Sequence, residues 1–186
     1  MRPLNAHMLA FSKNAWKTRA GFTAMLKHVK MLGFSGIVII PSLFSDELTK
    51  DFVTQTAREE KVKLITCGFR AKAPISPYTY PQGADAAIET FRGQFDWQRH
   101  FVANGVGDNI VCGPVLDDWG AGTSEYRSAG MLVLAQKLAA LGKEMGLVVC
   151  AEIVNIHESG IVNPHIAIPG VIRKVNSPHL RLHADV

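Results

Sequence analysis

The chain has 186 residues, 47% of them hydrophobic, with 20 Lys and Arg against 16 Asp and Glu. That is enough apolar material for a substantial core, read most simply as one domain, and the dispersed net charge of +4 gives no nucleic-acid footprint. The N-terminus lacks the apolar core of a secretory signal and no stretch has the length to cross a bilayer, so a soluble, cytoplasmic protein is expected.

The first apolar run, Leu4–Leu9, reads as a strand, and an amphipathic helix over Thr18–Leu32 follows it. Gly33 stands where a left-handed residue would end that helix. The next strand is Gly36–Ile40, followed by a helix over Ser45–Glu60 with Ser45 as its cap. A third strand at Val62–Cys67 leads into the Pro-rich stretch 73–81, which reads as a loop on the face that carries function and not as a domain linker. A long helix over Ala84–Asn104, stopped by Gly105, precedes a strand at Asn109–Gly113. The remaining elements are a helix over Ser124–Met145 ended by Gly146, a strand at Leu147–Val154, a helix over Pro164–Val175 and a last strand at Leu180–Val186.

Strands that are nearly continuous in Val, Ile, Leu and Cys, alternating with amphipathic helices, indicate a parallel sheet covered on both faces. Five strand–helix units and a sixth strand are present, whereas a closed (β/α)8 barrel takes about 250 residues, so such a barrel is short here by about two units. An open doubly wound sheet is the other reading, and composition does not choose between them. Cys67, Cys112 and Cys150 have neither disulfide nor metal spacing and are expected to be buried, reduced side chains.

Within Leu147–Val154 the one charged side chain is Glu152, near the C-terminal end of the strand. A carboxylate in such a run is paired, protonated or bound to a cation. Arg181 is one candidate partner. The C-terminal strand ends are also where sites form in parallel α/β folds. In the last strand, alternation sets Arg181, His183 and Asp185 on one face. If the two strands are neighbours, a spacing near ~4.8 Å brings the tips of Glu152 and Asp185 within reach of one divalent ion; Asp185 could equally be a solvated residue. The loop after Glu152 brings Asn155, His157 and Glu158 to the same rim, either to meet a hydroxyl-rich ligand or as ordinary surface residues. Trp119, at the exit of the fourth strand, could stack on a sugar face or anchor its loop. No phosphate-binding glycine fingerprint follows the first strand, and there is neither a Walker-type loop nor a nucleophile elbow.

Ala151-Glu152-Ile153-Val154-Asn155, then Glu158, then Val175 through Asp185, resemble the ketose 3-epimerase branch (tagatose and psicose 3-epimerase-like) of the xylose isomerase-like barrel superfamily. Leu64–Phe69 and Cys112-Gly113-Pro114 are similar to that branch's third and fourth strand ends. The resemblance implies a partial, C-terminally truncated (β/α)8 barrel as a single domain over residues 1–186. It implies a divalent cation (Mn2+, Co2+ or Mg2+), with Glu152 and Asp185 as ligands and Glu152 also moving a proton through an enediolate. Glu158, Cys67, Trp119 and Asn155 would contact the sugar.

The sequence departs from that pattern at Val38, where many relatives carry Glu, and at Ile156, where Arg is frequent. A His and a second Glu of the family's ligand set have no counterpart, so activity is expected to be impaired. A second reading is a noncatalytic barrel remnant that serves as a binding or assembly module, with a partner or self-association covering its open strand edges. A zinc-dependent DNA-repair endonuclease of the same barrel type would need histidines at the exits of the second and third strands, where Pro41 and Gly68 stand.

Overall fold

The computed structural model describes residues 5–68, 82–116, 124–154 and 163–184. Its strands are β1 (Asn5–His7), β2 (Gly36–Ile39), β3 (Lys63–Cys67), β4 (Gly107–Gly113), β5 (Val148–Ile153) and β6 (Leu180–Ala184). The helices are α1 (Arg19–Met31), α2 (Lys50–Glu60), α3 (Gln82–Ala103), α4 (Ser124–Met145) and α5 (Pro164–Val175). The sheet runs β1-β2-β3-β4-β5-β6, in chain order, and the pairs β1–β2, β2–β3 and β5–β6 are parallel. A doubly wound sheet reverses its order at a switch point, whereas a barrel adds each strand beside the last. The observed order is the barrel's.

Contacts divide the chain into two compact units, one of residues 1–67 with 96–110, the other of residues 68–95 with 111–186. In the first, α1 buries Phe22, Met25, Leu26 and Val29, the spacing of one helical face. Thr18 caps this helix by accepting from the Gly21 N–H at 3.1 Å. Phe22 meets Phe44 edge-on at 5.7 Å, and Trp97 stands between Phe44 and Phe101 at 5.6 and 5.9 Å. The helix predicted from Ser45 starts one turn later: Thr49 accepts from the Phe52 N–H, while the Ser45 hydroxyl donates to the Lys17 carbonyl at 2.6 Å. That hydroxyl is engaged with the preceding loop and does not cap a helix.

Gln98 of α3 is fully buried in this unit. Its Oε1 accepts from the Thr66 N–H at 2.7 Å, and its Nε2 donates to the carbonyls of Leu64 at 3.1 Å and Asp108 at 2.6 Å. A helix side chain thus satisfies backbone groups of β3 and β4 that would otherwise be buried without partners. Gly107 permits this, because a Cβ there would lie 2.8 Å from Gln98 Nε2 and 2.8 Å from Phe101 Cβ.

In the second unit, Phe91 and Phe95 stack at 5.7 Å and join Val111, Leu134, Leu138, Val149, Ala151, Ile168 and Leu180 in one core cluster. Gly142 lets α4 lie close to the start of β6, since a Cβ would be 3.0 Å from the Leu147 carbonyl and 3.1 Å from that of His179. The predicted glycine stops are in place: Gly33, Gly105 and Gly146 all have positive φ, at 82°, 73° and 68°.

Candidate active site

The β5–β6 pairing positions the residues that the sequence marked. The register sets Val149 opposite Leu180 and Ala151 opposite Leu182, and between them Cys150 opposite Arg181 and Glu152 opposite His183. Val149, Ala151 and Leu180 belong to the core, so Cys150, Glu152, Arg181 and His183 share the other face of the sheet. Glu152 and His183 are both half-buried. His183 Nδ1 is fully buried and has no hydrogen-bond partner among the described residues. Arg181, a candidate partner for Glu152 in the sequence, stands beside Cys150 and donates to the Ser177 carbonyl at 3.2 Å.

Cys67 and Cys112 are buried as expected, whereas Cys150 is half-buried on this polar face. Burial pushes the Cys150 thiol up from 9.0 to about 11; the neighbouring Cys112 adds to the rise and Arg181 opposes it. Cys150 is therefore a neutral thiol near neutral pH.

Of the six predicted site residues, Glu152 and Cys67 are described; Asp185, Glu158, Trp119 and Asn155 lie outside the described residues. Glu152 is near the C-terminal end of β5, as expected. Cys67 is the last residue of β3 and only 3% exposed. Reading the sequence missed the pairing of His183 with Glu152. Alternation showed that His183 shares a face with Asp185, but the register that brings it level with Glu152 is set by the β5–β6 ladder. Among the described residues, no group of three or more His, Cys, Asp or Glu side chains is arranged to hold a metal ion.

No family model and no curated protein matches the sequence. Solved structures do match. A D-allulose 3-epimerase from Methylomonas sp. superposes with a TM-score of 0.78 at 20% identity, covering 97% of this chain and 62% of that one. An L-ribulose 3-epimerase gives a TM-score of 0.78 at 16% identity, covering 100% of this chain and 61% of that one. The fold is that of these epimerase barrels. The chain spans about 62% of the length of the D-allulose 3-epimerase. An AP endonuclease, family 2, from Brucella melitensis shares the fold at a TM-score of 0.65 and 13% identity, covering 98% of this chain and 68% of that one. The fold alone therefore does not select the chemistry, and the strand exits must.

At those exits Pro41 is buried at the start of a 3-10 turn after β2. A Cβ on Gly68, just after β3, would lie 2.8 Å from Val115 Cγ1 and 3.0 Å from Phe95 Cε1. A histidine has no room there.

Proposed function

We propose that this chain carries part of the site of a metal-dependent ketose epimerase or isomerase, with residues 1–186 acting as one partial barrel domain. One observation supports this reading above the others. Glu152, a carboxylate near the C-terminal end of a core strand, is level with His183, whose buried Nδ1 has no hydrogen-bond partner among the described residues. A ring nitrogen buried without a hydrogen-bond partner is costly as structure, and with a carboxylate level with it the pair suits a binding constellation.

The donor chemistry suits a hard or borderline divalent ion such as Mn2+, Co2+ or Mg2+, with Glu152 and, two residues beyond His183 in sequence, Asp185 as oxygen ligands. Such an ion, when bound, would polarise the ketose carbonyl and acidify the neighbouring C–H. Glu152 would accept that proton, generating an enediolate, and return it. Cys67, Asn155, Trp119 and Glu158 are proposed to contact the sugar. Turnover by this chain is expected to be low, because epimerisation needs a second proton carrier on the opposite face of the substrate and Glu152 is the one carrier proposed. The protein is expected to be cytoplasmic; among the described residues, no helix is long and apolar enough to cross a membrane.

The test is exchange of the ketose C3 hydrogen with solvent deuterium, followed by NMR in the presence of Mn2+ and D-allulose. The chain should promote exchange and E152Q should lower it by about a hundredfold or more. Equal exchange by the two proteins would remove Glu152 from the chemistry.

The second reading, a noncatalytic binding or assembly module, draws on exposed apolar side chains: Leu182 on β6 is 41% exposed and Ile166 on α5 is 72% exposed. It predicts self-association in size-exclusion chromatography and no exchange. A monomer that exchanges deuterium would discard it.

A further inference from the structure

Lys and Arg are dispersed along the chain, but the acids are not. None of the 16 Asp and Glu falls within residues 1–45, which hold six Lys and Arg, so the rest of the chain is net acidic. Such an asymmetry points to an anionic partner for the basic part. Helix α1 lies within this stretch and carries no acid.

The core side of α1 is Phe22, Met25, Leu26 and Val29. On the opposite side, at the same helical spacing, Ala20, Ala24, Lys27 and Met31 are all exposed. Met31 is 71% exposed and its neighbour Leu32 56%, two large apolar side chains together at the surface. Phe11, half-buried, meets His28 edge-on at 5.9 Å, and His28 is one turn before Leu32. The basic residues near the start of the helix are tied back to the fold: Lys17 Nζ donates to the Leu43 carbonyl and Arg19 Nε to that of Glu47, both at 3.1 Å. Those beside Met31 are not held in this way. Lys30 is exposed, and Lys27 Nζ comes no nearer than 4.0 Å to Glu60 Oε1.

We propose that the outward face of α1 binds the anionic surface of a lipid bilayer, with Lys27 and Lys30 at the headgroups and Met31 and Leu32 inserted between them. Charge and shape select this occupant. The apolar face of a partner helix needs a groove, whereas Met31 and Leu32 stand out from a helix surface with lysines interleaved among them. A nucleic acid would meet the lysines through its phosphates but would leave the two apolar tips in water. A headgroup layer satisfies both, since it attracts cations and admits apolar side chains to the acyl boundary.

The proposal does not rest on the epimerase reading, and cosedimentation of the whole chain with vesicles separates the two, because E152Q should bind vesicles as wild type does. At about 0.15 M salt, vesicles of phosphatidylcholine with phosphatidylserine should bind at least about tenfold more tightly than phosphatidylcholine alone. K27Q/K30Q should weaken that binding at least about tenfold. K143Q/K174Q, which removes the same charge from α4 and α5, should leave it unchanged. M31S/L32S should weaken it about fivefold. The residues replaced are exposed, so melting temperatures should not move. No binding, equal binding to both vesicle types, or equal loss in the two lysine pairs would overturn the proposal. So would saturable binding of a duplex oligonucleotide in place of vesicles, or self-association that M31S/L32S abolishes in a chain that ignores vesicles.

Discussion

Gln98 and Glu152 are both polar side chains set among apolar neighbours, and their surroundings differ in how far the chain itself satisfies the polar groups beside them. Gln98 is fully buried and makes three hydrogen bonds to backbone groups of β3 and β4, the arrangement of a group that completes a sheet. Glu152 is half-buried, level with a histidine whose buried Nδ1 has no partner among the described residues and next but one to a neutral thiol. The first environment is finished by the chain itself. In the second, the buried His183 Nδ1 is left without a hydrogen-bond partner among the described residues.

The comparison is sharpened by variants ordered by the size of their effect. Q98L should cost about 3 kcal/mol or more, read as a lower denaturant midpoint, because the Thr66 N–H and the Leu64 carbonyl would be left buried without this partner and the part-buried Asp108 carbonyl would lose it too. A loss under about 1 kcal/mol would show that Gln98 does not complete the sheet. G142V should cost about 2 kcal/mol by forcing α4 away from the Leu147 and His179 carbonyls, against no change if that approach is loose.

H183L, by contrast, should change stability by less than about 1 kcal/mol in either direction, since the buried Nδ1 has no hydrogen bond to lose. A loss as large as that of Q98L would make the β5–β6 face structural too.

The smallest effect concerns pH. The Cys150 thiol is raised from 9.0 to about 11, so between those values the folded chain holds a proton that the unfolded chain releases. Stability from this group is fully present below the unfolded value and is lost as pH rises through the folded one. Thermal melts of wild type and C150A should diverge progressively over that alkaline window and keep a constant offset below it, and iodoacetamide should label Cys150 slowly at neutral pH.

Most of the fold was legible in the sequence, because apolar runs, helical periodicity and glycine stops are local signals. Among the described residues, the helices and strands fall close to where periodicity sets them, although β1 ends at His7 and Met8–Ala10 turn into a 3-10 helix, and α5 spans Pro164–Val175 as predicted. The misplaced start of α2 shows the limit. Ser45 has the chemistry of a cap, but its hydroxyl is taken by the Lys17 carbonyl, 28 residues away in sequence. Nothing local announces such a partner. Gln98 escaped notice for the same reason, since a glutamine on a helix reads as a surface residue until its neighbours in space are known.

Within the candidate site, Glu152 stood out because a lone carboxylate in a core strand is conspicuous. His183 did not stand out, because its place opposite Glu152 depends on the register of a parallel ladder that two separate segments form together.

Calorimetric titration of the chain and of E152Q with Mn2+ tests the central claim most directly, because it needs no substrate. Wild type should bind the ion and E152Q should bind it at least about tenfold more weakly with an unchanged melting temperature. Equal affinity in the two proteins, or no binding by wild type, would contradict the assignment of Glu152 as a metal ligand.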